Sequence, residues 1–267
     1  MMVDGQRAMA RSINQSGKAS IDAACGTTTI EKFQAIVRRV ISKDDERSSL
    51  VVEIACAVGA EILNGEVAPG SDLNSVELAR RFSSSRTPAR EALVLLEKEG
   101  LVEILPRRRP RVARLSLTEI REIYGVRAAL LGMIAAQVAR HATDEQIREL
   151  KHLVNTMERA ATADDAEAYY WGNVSFHERF ADVAGNRTLQ RIFDTLMLRG
   201  LRMRRLTLAV AKRRQQSVGD HLHIVRALEE RDPDLAAALA KANVLSALRL
   251  FEELLPNGEH SSELEVD

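Results

Sequence analysis

The strongest constraint on what this chain can fold into is the punctuation between residues 49 and 114. Residues 49–63 are apolar at 50, 51, 54, 58 and 62, a helical spacing. "NGEVAPGSDL" then halts the pattern with Gly65, Pro69 and Gly70. Residues 75–82 form a short second helical stretch, and Ser83 to Ser85 make a turn. Ser85 is placed to N-cap a third helix whose first turn carries Pro88, where the missing N–H costs little. That helix buries Ala89, Ala92, Leu93 and Leu96 and stops at Gly100, a residue suited to the left-handed C′ position. "LVEIL" and "RPRVARL" alternate on either side of residues 106–109 and predict a two-stranded hairpin.

Helix, helix, helix, hairpin in about 65 residues is the order of a winged helix-turn-helix. Charge agrees with it. The 267-residue chain has no net formal charge, but residues 76–114 hold ten Lys and Arg against five Glu. That window carries +5 and the remainder −5, so one basic module is joined to an acidic one. Arg86 and Arg90 stand one turn apart on the third helix with no acid between them. Two like charges at i,i+4 repel in an isolated helix, whereas a polyanion along that face reverses the effect. The N-terminal end of such a helix reaches base edges in the major groove, which assigns Arg86, Thr87 and Arg90 to the bases and Ser85 to the cap. Arg80 and Arg81 lie on the preceding helix, where the phosphates pass. Arg107, Arg108 and Arg109 form a basic wing tip suited to the minor groove or its phosphates. A solvated charged face would account for any one of these arginines. Their combination with the order of elements points to double-stranded DNA.

Beyond Arg114 the pattern is helical throughout. "SLTE" at 116–119 is a capping box, and breaks near 142–144, 162–165, 185–187, 214–220 and 231–234 predict about six helices in one antiparallel bundle. Aromatics are only 4% of the chain, and Leu, Ala, Val and Ile carry the core, which favours helix over sheet. Several inward stripes hold a polar residue: Arg127, then Asn173 with His177 at i,i+4, then His221, then Asn243. A lone inward His is ordinarily a hydrogen-bonded core residue, and Arg127 could snorkel or pair with a Glu. Recurrence on four separate helices predicts a shared polar cavity for a ligand.

The residues 69–112, "PGSDLNSVELARRFSSSRTPAREALVLLEKEGLVEILPRRRPRV", resemble the DNA-binding domain of the GntR family of bacterial transcription regulators. The wing departs from the family pattern, reading Arg109–Pro110 where a glycine is usual. "EIYGVRAALLG", "NVSFHERFADVAGN" and "DHLHIVRALEERDPDLAAA" resemble the all-helical FCD effector domain of the FadR subgroup. In many members of that subgroup an Asp and three His hold a divalent metal. The resemblance places Asn173 at the Asp position, His177 and His221 at two His positions, and Asn243 at the last. His177 and His221 are thus the candidate metal ligands, with two neutral amides in place of the remaining donors. No cofactor is fixed by this pattern, and Zn, Ni or Mn is the candidate ion. The alternative occupant is a small organic acid, clamped by Arg127, which matches the family's arginine.

The fold expected is therefore mainly α: a winged helix-turn-helix over 46–114, then an all-α antiparallel bundle over 115–255 for effector binding and dimerisation. Residues 1–45 are expected to be a mobile arm with a short helix at 29–41, and 256–267 a tail. Two cysteines without metal-type spacing, no signal pattern and no apolar run near about 18 residues predict a cytoplasmic protein without a membrane span. The function expected is an effector-responsive regulator, a repressor by family analogy, binding an inverted repeat as a homodimer and not an enzyme. The rivals are a helical-bundle enzyme using His177 and His221 as acid and base, and an architectural DNA-binding protein without an effector.

Overall fold

The computed structural model describes residues 28–41 and 49–254. Of the arm expected over residues 1–45, residues 1–27 and 42–45 lie outside the described residues, as does the tail expected over 256–267. The helical part of the proposed arm is a packed element. Helix α1 (Thr29–Ile41) buries Phe33, Ile36, Val37 and Ile41, and Phe33 meets Trp171 edge-on at 4.9 Å. Helix α2 (Ser49–Asn64) is apolar nearly all round and lies between α1 and helix α4 (Arg86–Lys98). Gly59 permits that sandwich: a Cβ there would stand 3.1 Å from both Leu96 and Val37.

Helix α3 (Ser75–Arg81) starts at Asn74, whose side chain accepts the Val76 N–H at 2.9 Å. Ser85 is the N-cap of α4, as expected, but its hydroxyl makes no capping bond. Gly100 takes φ +72°, closing α4 as the sequence predicts. The hairpin is shorter than its alternation suggests. Strands β1 (Val102–Glu103) and β2 (Arg111–Val112) pair antiparallel, Val102 opposite Val112 and Glu103 opposite Arg111. Pro106 and Pro110 have no N–H to extend the ladder. The segment 70–73, read from sequence as a simple break, pairs along the outer edge of β2. Leu73 N–H donates to Pro110 O at 2.7 Å and Val112 N–H to Ser71 O at 2.9 Å. At the wing tip Arg107 adopts φ +62°, so an arginine takes the left-handed turn for which a glycine is better suited.

The Ser116–Glu119 capping box opens α5 (Leu117–His141) as predicted. The bundle continues with α6 (Asp144–Thr162), α7 (Ala166–Val183), α8 (Arg187–Arg199), α9 (Leu201–Ala209), α10 (Ala211–Glu229) and α11 (Pro233–Leu254). The break expected at 214–220 is absent, and α10 runs through it. Its polar residues are held by side-chain contacts: Arg214 donates to the Leu208 and Ala209 carbonyls and pairs with Asp164. The chain breaks instead at Gly200 and Val210, so seven helices follow Ser116 among the described residues. Helix α5 is long and apolar enough to cross a membrane by length and composition, with a mean hydropathy of 1.2 over 18 residues. Here it is a bundle core helix, burying Ile120, Tyr124, Leu131, Ile134 and Val138 against α11 and its neighbours.

Two contacts join the head to the bundle directly behind α4. The Thr195 hydroxyl donates to Glu99 at 2.7 Å, and the Arg199 side chain lies against Gly100, where a Cβ would stand 2.7 Å from Nε. Helix α1 adds a strut, its Arg39 bonding Asp182 on α7 at 2.6 Å.

Candidate nucleic-acid interface and buried arginine cavity

The exposed face of the small module carries the predicted basic residues. Arg80, Arg81, Ser85, Arg86, Thr87, Arg90 and Arg107 to Arg109 are all exposed. Among the described residues, Arg80, Arg86, Arg90, Arg107 and Arg108 make no ion pair, so their guanidinium groups are available to an external anion. Arg81 differs. It pairs with Glu61 on α2 and stacks over Phe82, which ties α3 to α2 and commits much of its charge internally. Arg109 sits 3.9 Å from Asp72, and Arg111 is held by Glu103 across the hairpin at 2.6 Å. The first turn of α4 holds no acid, so its free N–H groups and positive end face outward with Arg86. Replacing Arg107, Arg108 and Arg109 together with alanine is expected to flatten the dependence of DNA affinity on salt by up to about three units of log–log slope. Fluorescence anisotropy across a salt series checks this, and an unchanged slope removes the wing from the interface.

The inward polar residues come together in the bundle. Arg127, Asn173, His177 and Asn243 line one cavity of about 30 Å³, on α5, α7 and α11. His221 is fully buried but stands behind the cavity, against Asn173 with Nδ2 to Nε2 at 3.4 Å. Its Nδ1 lies 2.6 Å from the Ser217 carbonyl, a contact made by an Nδ1–H tautomer. The sequence reading missed Arg204 and Arg213, which line the same cavity with Thr207 and Ser217. Arg213 stands just before the predicted break at 214–220, and Arg204 in "RMRRL" carries no local sign of pointing inward.

Three buried arginines at one cavity define its electrostatics. Arg213 is matched, donating to Asp220 and to the Asn243 carbonyl, both at 3.1 Å. Arg127 and Arg204 have no carboxylate partner among the described residues, and Arg127 lies over the Tyr124 ring at 4.8 Å. Burial, then the neighbouring Arg127, pulls the Arg204 guanidinium down to about 10. Buried nitrogens on Arg127 (Nε), Arg204 (Nη1), Arg213 (Nε) and His177 (Nδ1) lack hydrogen-bond partners. Such groups are costly unless an acceptor reaches them.

A divalent cation does not fit this donor set. Asn173 and Asn243 bring no charge and offer only amide oxygens, the Asn243 Nδ2 donating to Asp220 at 2.9 Å. Three arginines line the same space and repel a second cation. No cluster of three His, Cys, Asp or Glu able to hold a metal occurs among the described residues.

The two imidazoles respond to the same field. His177 is held well below the usual imidazole range by burial, then by Arg204, His221 and Arg127. His221 is lowered to about 4 by burial. A histidine with a depressed folded-state pKa stays neutral while its unfolded form takes up a proton, so stability falls as pH drops. The window for His221 runs from 6.5 down to about 4 and is worth about 3 kcal/mol. Urea titrations at pH 7.5 and 4.5 are expected to show that loss, and His221→Gln to reduce it. Equal pH dependence in the variant contradicts the assignment.

A winged helix-turn-helix head on an all-helical bundle defines a class: a DNA-binding protein with a separate helical domain. The comparisons place it further. Residues 50–112 match the family model "Bacterial regulatory proteins, gntR family", and residues 122–245 match the FCD domain. The chain belongs to the GntR family of bacterial transcription regulators and carries an FCD domain. It is similar to the gluconate operon transcriptional repressor of Bacillus licheniformis, 31% identical over 150 residues, 56% of this chain and 61% of that protein. It is also similar to the HTH-type transcriptional repressor RspR of Escherichia coli, 26% identical over 65% of this chain and 76% of the relative. The aligned region thus spans about three fifths of the gluconate repressor's length. Among solved structures, E. coli McbR/YncC superposes with a TM-score of 0.65 at 19% identity, covering 78% of this chain and 99% of that one. A putative GntR regulator from Rhodococcus sp. RHA1 gives 0.63 at 15% identity, covering 78% and 100%. These likenesses establish the fold.

Proposed function

We propose that this protein is a cytoplasmic, sequence-specific transcriptional repressor that binds an inverted-repeat operator as a homodimer and releases it on binding a small organic acid. The observation that carries the reading is the pairing of two sites of positive charge without internal partners: Arg86 and Arg90 on the reading helix, and Arg127 and Arg204 in the bundle. The first suits DNA, the second a carboxylate. Arg127 is the clamp, Arg204 and Arg213 supply further donors, and Asn173, His177 and Asn243 orient the acid, with His221 buttressing Asn173.

At about 30 Å³ the cavity admits only two or three water-sized groups, each needing ~10–15 Å³, so a carboxylate fits and a larger acid must spread the helices. Binding therefore favours a different arrangement of the bundle, which is the condition for allostery. Arg127 lies against Gly200, where a Cβ would stand 2.8 Å from Nη1, and the next residue back, Arg199, lies against Gly100 behind α4. An acid that draws Arg127 inward acts on the corner that supports the reading helix. For the homodimer, the exposed Val126 and Met133 on α5 and Leu245 on the adjoining antiparallel α11 supply an apolar contact face.

The enzyme reading has less support. His177 and His221 are buried and weakly basic, which leaves little drive to take a proton at neutral pH. Selection from random duplex DNA with the full-length protein tests the proposal. Recovery of a pseudo-palindrome with half-sites about 10 base pairs apart is the expected result. A pool without a common motif supports the architectural alternative instead.

A further inference from the structure

A second cavity, of about 60 Å³, lies where the head meets the bundle, apart from the buried arginine cavity. Its walls come from both modules: Ile62 and Leu63 of α2, Leu101 and Val112 beside the hairpin, Ile120 of α5, and Met203 and Leu206 of α9. The lining is mostly apolar, but Arg199 and Arg202 stand in it, along with Arg114, which already donates to the Pro69 carbonyl at 3.4 Å. Neither Arg199 nor Arg202 makes an ion pair among the described residues, and the Arg199 Nε is buried without a hydrogen-bond partner. Burial also lowers the Arg202 guanidinium below its ordinary range. An apolar pocket closed by two unmatched guanidiniums is complementary to a molecule with an apolar tail and one negative head.

We propose that this junction is a second ligand site, taking a short-chain monocarboxylate with its tail among Ile62, Leu101, Ile120, Met203 and Leu206 and its carboxylate on Arg199 and Arg202. The volume sets the tail length. At ~10–15 Å³ per water-sized group the cavity accepts a tail of about four to six heavy atoms, which matches the five-carbon tail of hexanoate with its carboxylate at the guanidiniums that close the pocket. Because its walls belong to both modules, a bound acid stabilises one placement of the head on the bundle over others. The ligand thereby controls the geometry of DNA reading independently of Arg127.

Calorimetric titration of the full-length protein with hexanoate, and with 1-hexanol as the uncharged control, tests the site. Hexanoate is expected to bind at least about tenfold more tightly than hexanol, and Arg202→Ala to remove about tenfold of that affinity. Leu206→Trp, at a half-exposed wall position that tolerates a larger side chain, is expected to fill the cavity and abolish binding, while Arg127→Met leaves it unchanged. Failure of the wild-type protein to bind hexanoate overturns the proposal. So does binding that survives Leu206→Trp, or that is lost with Arg127→Met alone, which places the acid in the buried cavity.

Discussion

Arg86→Ala is expected to lower affinity for the selected operator by about 1–3 kcal/mol, roughly five- to 150-fold, while changing affinity for random DNA much less. The argument begins with position. Arg86 is the first residue of α4, exposed, without an ion pair among the described residues, at the end of the helix where N–H groups and the dipole already favour an anion. A guanidinium there pairs bidentately with a guanine edge, a contact that random sequence does not offer at fixed register. Its removal costs little in folding, because it is exposed and because its loss relieves the repulsion from Arg90 one turn on. Competition between labelled operator and unlabelled random duplex separates the two terms. Equal loss on both reduces Arg86 to a phosphate contact.

Arg127→Met is expected to abolish the response of operator binding to the acid, while DNA affinity without the acid stays within about threefold and the fold is retained. Truncating one member of a buried ion pair is destabilising because it strands a charge. Arg127 has no carboxylate to strand, and its removal relieves the electrostatic strain on Arg204 and on His177, both of which are lowered by its charge. Methionine keeps an unbranched apolar stem and gives up only the guanidinium contact over the Tyr124 ring. Thermal melting is therefore expected to show equal or greater stability. A variant that remains fully responsive ends the clamp assignment. Gly200→Ala offers an independent probe, since the added methyl meets Arg127 Nη1 and must displace it. That variant is expected to shift the acid concentration at half release without touching either ligand.

What the sequence by itself determined is local. Helix periodicity, the Ser116–Glu119 capping box and Gly100 at its left-handed corner follow from residues within one or two turns of one another. So do the outward placement of Arg86 with Arg90 and the shared inward face of Asn173 and His177. An i,i+4 spacing specifies a face whatever the rest of the chain does. The order of the winged head was legible for the same reason.

Only the tertiary structure decided which inward residues meet. Arg127, His177, Arg204, Arg213 and Asn243 come from five helices, and no local spacing announces that three of the five are cations. It also decided partners. Arg81, exposed on the face proposed for DNA, also pairs with Glu61; the Asn243 Nδ2 donates to Asp220; and His221 stands behind the cavity rather than on its wall. Polar content at 214–220 reads as a break when the sequence is considered alone, because unpaired polar groups disfavour burial. The carbonyls of Leu208 and Ala209, with Asp164 and Asp220, satisfy those groups and let α10 continue. Burial energies depend on what lies across the core, and that information is spread over the whole chain.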